Sequence, residues 1–539
     1  MPEYLSPGVY VEEIDLRSRP IEGVGTSTAG LVGQTERGPI TPQLITSTTE
    51  YGQVFGGPID QSFLGHAIDG FFRNGGRRCF VARVVGAGAT SASLDLGTVR
   101  AETVGPGSWG NNVFVTVEDG SLFQETVRPD PFKLTVYYWR TLPPSAEDGQ
   151  AGPIVDPGDP RNRTNPKSRP ADVVEVYDNL SSDPASPDFY ARRVNGISRL
   201  VTLVREAPGR PPTQGRAALA TLNGAGRPGD TLDKHLANGA GGAAPALSDY
   251  RGSQITDPGS PIFGARTALA AFEDIDEITL VGIPDEHAVA GLTDELIDHC
   301  EKLRDRFAVT AAPPGSVNVA QLRPPRDSKY AAVYYPWIKV LDPTSGLPRL
   351  VPPTGHVLGI YVRSDVERGV HKAPANEVVR GAVDLELSVG AAQQDLLNPR
   401  GVNVIRAFPG RGILVWGART MSTDSEWRYV NVRRLFNFLE ESIDEGTQFA
   451  VFEPNDVSLW ERLRGSVSAF LTTQWRAGML QGTRPEEAFF VKVGLGETMT
   501  QDDIDNGRVT VMIGIAPVKP AEFVIFRITQ MPGGAGVSE

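Results

Sequence analysis

The sequence predicts a multidomain protein of mixed α/β class, in which a β-rich insert interrupts the core. The chain has 539 residues, which is too long for one hydrophobic core and suggests about three to four domains. Short apolar strands alternate with helices over residues 21–95 and again over 255–370, a pattern typical of a sheet covered by helices. Residues 96–254 differ, because strand-like segments there are spaced by long loops rich in Pro, Gly, Asp and Asn.

These observations divide the chain into segments, with a core formed by N- and C-terminal parts and an extended arm at each end. The predicted organisation is an N-terminal arm at 1–20, a discontinuous middle α/β domain at 21–95 and 255–370, an outer β-rich insert at 96–254, a C-terminal domain at 371–520 and a C-terminal arm at 521–539.

The first part of the predicted core contains three strands and one helix. Ala29–Gly33 and the segment around Leu44 are short apolar strands, and Cys79–Val85 is a strand of the buried type. His66–Asn74 is predicted to be a helix that ends at Gly75-Gly76, since glycine tolerates the left-handed conformation that terminates helices.

Regular alternation resumes after the insert and predicts a mostly parallel sheet continuous with the first part. The predicted elements are a helix at Pro261–Phe272, a strand at Ile278–Val281, a helix at Leu292–Arg306 and strands at Phe307–Thr310 and Ala331–Tyr335.

Within the insert, three segments are predicted to be strands, namely Val113–Val117, Phe132–Tyr138 and Val173–Tyr177. Residues 141–170 and 205–248 are so rich in turn-forming residues that they are predicted to be exposed loops.

Two helices are predicted in the C-terminal part. Trp427–Ile443 places its apolar residues on one face, and a second helix opens at Ser458, with Glu461 three residues later as in a capping box. Arginines on these helices are candidates for contact with an acidic partner, although a solvated helix face is the simpler explanation. They are Arg433, Arg434, Arg462, Arg464 and Arg476.

The two ends of the chain contain strands without an evident partner. Val9–Ile14 follows a Ser6-Pro7-Gly8 turn and has no hairpin partner nearby. Near the other end, Arg508–Ile515 and Glu522–Thr529 are predicted strands, and both faces of the latter are apolar. Such a strand lies either deep in its own sheet or in a sheet completed by another subunit. The residue pattern leaves both arrangements open.

Composition excludes several classes of protein. The net charge of −13 argues against a general nucleic-acid binder, and two distant cysteines form no disulfide framework. The N-terminal sequence lacks the basic start and apolar run of a signal peptide, and no apolar stretch approaches the roughly 20 residues that cross a bilayer. We therefore expect synthesis in a cytoplasm without a signal peptide, and no direct membrane insertion.

Motifs of catalysis or cofactor binding are missing from the sequence. It contains no P-loop, dinucleotide fingerprint, nucleophile elbow or zinc-protease helix. Its six histidines are scattered, and the acidic run Asp502–Asp505 lacks the closing glutamate of a calcium loop. The sequence thus predicts no catalytic residue, no cofactor and no metal site.

Short motifs at both ends and in the core resemble, in order, those of phage tail sheath proteins. The motifs are Ser6–Glu13, Phe55–Gly57, Phe71–Gly76, Trp109–Asn111, Glu175, Asn179-Leu180, Asn195, Ser198, Gly417–Thr420, Tyr429–Arg434, Phe452–Asn455 with Trp460, Gly507-Arg508, Ala516-Pro517 and Pro520–Phe523. No resemblance is found in 141–170 or 205–248.

The resemblance implies a subunit of hexameric rings, stacked as a helical sheath around an inner tube. Contraction of that sheath would drive the tube through a target envelope, with baseplate and tail-terminator or cap proteins as further partners, in a phage tail or a contractile injection particle. Terminal arms of neighbours would each add a strand to a small sheet. The arm residues so implied are Val9, Tyr10, Val11, Ile14, Phe523, Val524, Ile525, Phe526 and Ile528.

On the same resemblance, the C-terminal domain lies next to the tube, and the five arginines become candidate tube contacts. Two other classes remain open at this point. One is a static self-assembling shell or adhesin that exchanges strands without contracting, and the other is a multidomain α/β enzyme without a recognised motif.

Overall fold

The computed structural model describes residues 21–144, 154–217, 231–258 and 262–525. Contacts divide the chain into two compact units. The large unit comprises Thr26–Val366 and Pro374–Arg428, and the small unit contains, among its described residues, 21–25, Glu367–Ala373 and 429–525. The mixture of helices and several sheets confirms the predicted multidomain α/β class.

The strands follow in chain order. They are β1 (Thr28–Gly33), β2 (Gln43–Ile45), β3 (Arg78–Arg83), β4 (Ser93–Asp95), β5 (Val99–Thr103), β6 (Val113–Asp119), β7 (Phe132–Tyr138), β8 (Ile154–Val155), β9 (Val173–Leu180), β10 (Val201–Arg205), β11 (Arg216–Ala217), β12 (Thr231–Leu232), β13 (Leu280–Gly282), β14 (Phe307–Ala311), β15 (Ala331–Tyr335), β16 (Ile338–Leu341), β17 (Pro348–Val351), β18 (Glu377–Val378), β19 (Ala382–Leu385), β20 (Val402–Phe408), β21 (Gly412–Val415), β22 (Phe489–Lys492) and β23 (Met512–Ile515).

The α-helices are fewer, and several are short. They are α1 (Thr48–Phe55), α2 (Leu64–Arg73), α3 (Tyr190–Val194), α4 (Leu247–Arg251), α5 (Leu292–Leu303), α6 (Thr354–Arg368), α7 (Ala391–Leu397), α8 (Val430–Thr447), α9 (Val457–Arg476), α10 (Pro485–Ala488) and α11 (Gln501–Asp505).

A nine-stranded sheet forms the core of the large unit, in the order β18-β21-β20-β15-β14-β13-β1-β3-β2. The six strands from β20 to β3 run parallel, and antiparallel strands complete both ends. All residues of β1, β13, β14 and β15 are buried, as expected for strands covered on both faces. The parallel sheet predicted from the sequence is therefore present.

Helices α2 and α6 pack closely because glycines lie where they meet. A Cβ added to Gly355 would lie 2.1 Å from the carbonyl oxygen of Ala67, and one added to Gly359 would lie 2.3 Å from that of Phe71. α2 ends as its sequence predicts, since Gly75 adopts φ +110° and its N–H donates to Phe72 O.

The insert has its own core, built on the antiparallel sheet β6-β7-β9 and the sheet β10-β5-β4. A third small sheet, β11-β12-β8, buries Ile154 and Leu232 against Phe114 and Trp139. The prediction that 141–170 and 205–248 are simply exposed loops is thus wrong for these described strands, because side chains in the loops complete a second apolar layer. Residues 145–153 and 218–230 lie outside the described ranges.

One carboxylate joins the insert to the core. Glu36 accepts a hydrogen bond from the Tyr138 hydroxyl (2.5 Å) and another from Gly57 N (3.0 Å), and it pairs with Arg140 at 3.1 Å. Arg37 lies over the Tyr138 ring and donates to the carbonyls of Gly52 and Gln53. We call the contact among Glu36, Arg37, Tyr138 and Arg140 the joint; it combines an ion pair, hydrogen bonds and an aromatic contact.

Helices α8 and α9 dominate the small unit. Leu435, Leu439, Val467, Phe470 and Leu471 form its main buried cluster. A smaller cluster surrounds Leu459 and Trp460 near the start of α9.

Some predicted boundaries differ from the structure. Asp456, not Ser458, caps α9, because its carboxylate accepts from Leu459 N at 3.0 Å. The helix predicted from Pro261 is instead a 3-10 helix over Ala268–Asp274, and Pro261 lies outside the description. Residues 374–428, predicted to belong to the C-terminal domain, lie in the large unit, since β20 pairs with β15.

The edges of the insert also shift. β4 pairs with β5, so the insert already includes residues before 96. At the other end, Tyr250 of α4 belongs to the buried cluster of the nine-stranded sheet rather than to that of the insert.

Candidate assembly interface

The small unit contains a two-stranded sheet with unpaired edges. β22 and β23 pair antiparallel from Phe489↔Ile515 to Lys492↔Met512, and among the described residues neither strand has a second neighbour in the sheet. One face packs on the α8–α9 cluster, while Phe490 and Met512 on the other are half exposed. Two strands alone are marginal, and open edges are places where further strands add.

The segment that follows β23 is held at its start and then extends into solvent. Asn431 Nδ2 donates to Val518 O at 3.2 Å, and the Tyr429 hydroxyl donates to Glu522 at 3.0 Å. Beyond these contacts Phe523, Val524 and Ile525 are 71%, 69% and 79% exposed and form no strand. Three consecutive exposed apolar side chains are unusual for an isolated soluble chain.

The remaining arm residues named from the sequence cannot be placed. Phe526, Ile528 and the whole of Val9–Ile14 lie outside the described residues. Their participation in strand exchange stays a prediction.

The five candidate tube-contact arginines fall into two groups. Arg433 and Arg434 of α8 are only 1% and 4% exposed, and Arg433 donates to Asn437 and pairs with Glu440 at 2.8 Å. The Arg433 guanidinium is therefore committed inside the chain, and the Arg434 side chain is buried.

The other three arginines, all on α9, are exposed. Arg462 pairs with Glu453 at 2.8 Å and Arg464 with Glu497 at 3.5 Å, whereas no ion pair to Arg476 is present in the described ranges. The outer face of α9 between these arginines carries small residues, among them Gly465 and Ala469, so a partner can approach its backbone closely.

The crevice at which open α/β sheets bind ligands is filled from within. In the sheet, β1 is followed on one side by β3, and β13 is followed on the other side by β14. The strand order therefore reverses between β1 and β13, and ligands of open α/β sheets bind at such a point of reversal. There Asp285 accepts from the Ser62 hydroxyl (2.5 Å) and from Phe63 N (2.7 Å), just before α2 begins. Burial raises the pKa of Asp285 above its usual value, and these two hydrogen bonds oppose that shift. An internal carboxylate thus occupies the helix N-terminus that would otherwise attract an anion.

The neighbouring acid, Glu286, is also buried. It accepts from Ala311 N at 2.6 Å and from the Thr293 hydroxyl at 3.1 Å. Complete burial raises the pKa of Glu286 to about 8, an effect that these hydrogen bonds only partly offset. Both acids hold loops onto the sheet, and both are buried.

The described ranges contain no arrangement typical of a metal site or a reactive thiol. No group of three or more His, Cys, Asp or Glu side chains there is arranged to hold a metal ion. Burial raises the pKa of both thiols, Cys79 and Cys300, away from the range of reactive cysteines. Within those ranges, no helix has both the length and the apolar character needed to cross a membrane.

Two family models together match the second half of the chain. The phage tail sheath protein central domain matches residues 252–421, and the phage tail sheath C-terminal domain matches residues 422–531. The chain belongs to the phage tail sheath protein family. The second match begins close to Tyr429, where the small unit resumes.

Curated sheath proteins share shorter stretches with this one. The tail sheath protein of Vibrio phage KVP40 is 26% identical over 196 residues, which cover 35% of this chain and 28% of the relative. That of Burkholderia phage BcepMu is 30% identical over 145 residues, covering 25% of this chain and 30% of the relative. The matched stretches thus span less than a third of these two relatives.

A solved sheath structure shares the fold over nearly the whole length. The helical sheath of the anti-feeding prophage in its contracted state superposes with a TM-score of 0.55 at 24% identity, covering 98% of this sheath protein and 100% of that chain. The likeness establishes the fold, including the insert that carries no family match.

Sequence reasoning missed half of the two-stranded sheet. Strand β22 was not predicted, and the strand predicted from Arg508 begins only at Met512. The apolar alternation of Phe489 and Val491 toward the helices was the available signal, but four residues between loops give a weak periodicity.

Proposed function

We propose that this sheath protein is the structural and mechanical subunit of a contractile sheath. Subunits polymerise as stacked hexameric rings around an inner tube, and contraction drives the tube through a target cell envelope. Two observations carry the proposal together: the two-stranded sheet β22–β23, whose strands have no second neighbour among the described residues, and the exposed apolar segment Phe523–Ile525. A chain that displays both an open strand edge and an exposed apolar segment able to add to such an edge is suited to linking identical copies.

Each edge of the small sheet accepts one arm. The N-terminal arm of one neighbour supplies Val9–Ile14, and the C-terminal arm of another supplies Phe523–Ile528. Main-chain hydrogen bonds give affinity along the edge, while alternate apolar side chains extend the layer begun by Phe490 and Met512. The bonds from Asn431 and Tyr429 fix the point at which the C-terminal arm departs.

The outer face of α9 is proposed as the contact with the inner tube. Arg462, Arg464 and Arg476 are exposed along it, and small residues between them permit close approach. Arg433 contributes indirectly, by holding α8 in place through Asn437 and Glu440, and Arg434 is buried beside it in the sequence.

The protein acts through assembly and not as an enzyme. The crevice of its large sheet is occupied by Asp285, so the usual ligand position of such a fold is already filled. The net charge of −13 disfavours nucleic acid as a partner. Baseplate and terminator or cap proteins bind the ends of the sheath, and the assembly belongs to a phage tail or contractile injection particle.

Deletion of residues 1–16 tests the arm mechanism. The truncated chain is expected to remain folded, with an unchanged melting temperature, but to form no sheaths in negative-stain images or in sedimentation. A second variant that ends after Ala521 should behave alike, since it removes the other arm.

Polymerisation of either truncated chain to the wild-type extent would contradict strand exchange. A full-length chain that gives only a discrete closed oligomer would favour an enzyme, and cylinders that never shorten would favour a static shell.

A further inference from the structure

A cluster of arginine and aromatic side chains covers one end of the β20–β21 hairpin in the large unit. The rings of Phe408 and Trp416 lie 4.7 Å apart, centre to centre. The guanidinium carbon of Arg406 is 5.0 Å from the Phe408 centroid, and that of Arg411 is 5.6 Å from Phe408 and 5.5 Å from Trp416. We call these four side chains the arginine–aromatic platform.

Neutral side chains hold both arginines of the platform in position. Arg406 donates to the amide oxygen of Gln394 at 2.7 Å, and Arg411 donates to that of Asn376 at 2.5 Å. Neither guanidinium group has an ion pair with a carboxylate within 4 Å among the described residues. Two positive charges are thus oriented by amides without being neutralised, in a protein of net charge −13.

Such an arrangement favours a partner that carries carboxylates. A guanidinium group stacked on an aromatic ring keeps its outward N–H groups available and loses little side-chain freedom when it binds. Arg411 is exposed and Arg406, Phe408 and Trp416 are half-buried, so the platform is both accessible and ordered. The overall negative charge of the protein disfavours a long polyanion such as nucleic acid as the partner. A short acidic protein segment fits the platform better.

An acidic segment of the required kind occurs at the end of α8. Asp444 and Glu445 lie in its last turn and are exposed. That turn has no basic residue, although carboxylates at a helix C-terminus are destabilised by the negative end of the helix dipole unless a cation is near. Neither carboxylate receives a hydrogen bond or ion pair from another residue in the described part of the chain.

We propose that the arginine–aromatic platform of one subunit binds the acidic turn Asp444–Glu445 of a second copy of this chain. The inference rests on the proposed polymerisation, to which it adds a contact independent of the terminal arms. It places one charged surface on the large unit and its complement on the small unit, so that each subunit both donates and receives the contact, as a polymer of identical copies requires.

A charge exchange tests the pairing. The variant Arg406→Glu/Arg411→Glu is expected to lower the yield of sheaths at least about tenfold, corresponding to about 1.4 kcal/mol per subunit contact. Asp444→Arg/Glu445→Arg should do the same, and the four substitutions together should restore assembly. Arg128→Glu/Arg192→Glu, which reverses two exposed arginines of the insert, serves as the matched control and should assemble normally.

Sheath yield is measured by sedimentation and negative-stain microscopy, and folding of each unassembled variant by its melting temperature. If the double arginine variant does not fold, Arg411→Glu alone tests the proposal, since Arg411 is exposed. Normal assembly of either folded double variant, or failure of the four-fold variant to recover, overturns the pairing. If the arginine double variant lost nucleic-acid binding but still assembled, the pairing would be overturned and the platform would be a polyanion site. A wild-type chain that never polymerises would instead refute the proposed function.

Discussion

The Tyr138 hydroxyl donates a hydrogen bond to the Glu36 carboxylate across 2.5 Å, and this contact joins the β-rich insert to the α/β core. Burial raises the pKa of Tyr138, so the hydroxyl keeps its proton and remains a donor. The insert and the core are therefore expected to move as one body.

Loss of this hydroxyl should loosen the insert. We expect Tyr138→Phe to lower the free energy of unfolding by about 1.5–3 kcal/mol, because a buried hydrogen bond to a charged group is lost. Hydrogen exchange at residues 52–57, which contact the joint, should accelerate. Tyr177→Phe is the control, since the Tyr177 hydroxyl donates to Glu175 inside the insert; it should leave exchange at 52–57 unchanged. Equal exchange in both variants would show that the joint is not held by Tyr138.

Glu286 should make stability depend on pH. Its folded-state pKa of about 8 exceeds the ordinary value of 4.5. The protonated carboxyl therefore stabilises the folded state, and this contribution is complete at pH values below 4.5. This contribution is lost as the pH rises toward 8, by up to about 1.4 kcal/mol for each pH unit. Glu286→Gln stays neutral at every pH. Between pH 5 and pH 8 the melting temperature of the wild type should therefore fall relative to that of the variant.

Denaturant titrations at several pH values check this dependence. The exposed substitution Glu125→Gln should show no such trend. A constant difference between Glu286→Gln and the wild type over that interval would mean that the carboxyl is already ionised at pH 5.

Glycine at position 355 should be required for the α2–α6 contact. Gly355→Ala places a Cβ 2.1 Å from the Ala67 carbonyl oxygen, and the resulting separation of the helices should cost about 1–3 kcal/mol. Gly465→Ala provides the opposite case. Its Cβ meets no atom within 4 Å, and the helix should gain up to about 1 kcal/mol. Thermal unfolding of both variants measures the contrast; a neutral Gly355→Ala would show that α2 can shift without loss.

The proposed contact of α9 with the inner tube predicts that charge reversal on this helix weakens binding of the tube. Arg462→Glu/Arg476→Glu is expected to reduce co-sedimentation of sheath with tube at moderate salt, most strongly at low ionic strength, where exposed charges are least screened. Arg192→Glu in the insert is the control. Unchanged co-sedimentation of the α9 variant would show that the tube is bound by a different surface.

Sequence patterns predict the buried strands well and the short or shared ones poorly. β7 occurs at the predicted residues Phe132–Tyr138, and β15 at Ala331–Tyr335, because long apolar runs between turns identify buried strands. β22 and β8 have four and two residues, too few to display a period. Their positions depend on tertiary partners that local sequence does not reveal.

The candidate interface could be predicted only in part for a similar reason. Exposed apolar side chains at Phe523–Ile525 follow from the two-faced pattern of the segment. Burial of Arg433 does not, since an arginine on an amphipathic helix is expected in solvent, and only the arrangement of Asn437 and Glu440 around it explains its position.

The pairing of β1 with β13 has a consequence for synthesis. The Thr279 hydroxyl donates to Thr28 O, 251 residues earlier in the chain. Strand β1 therefore leaves the ribosome long before β13 is synthesised. At about 5–20 residues per second, that interval lasts roughly 10–50 s. During it the apolar edge of β1 is open to wrong partners. Early folding of the insert as an independent body would bring its two ends together and shorten the loop to be closed. Substitutions that destabilise the buried core of the insert, unlike exposed ones such as Arg192→Glu, should therefore reduce the yield of soluble subunit.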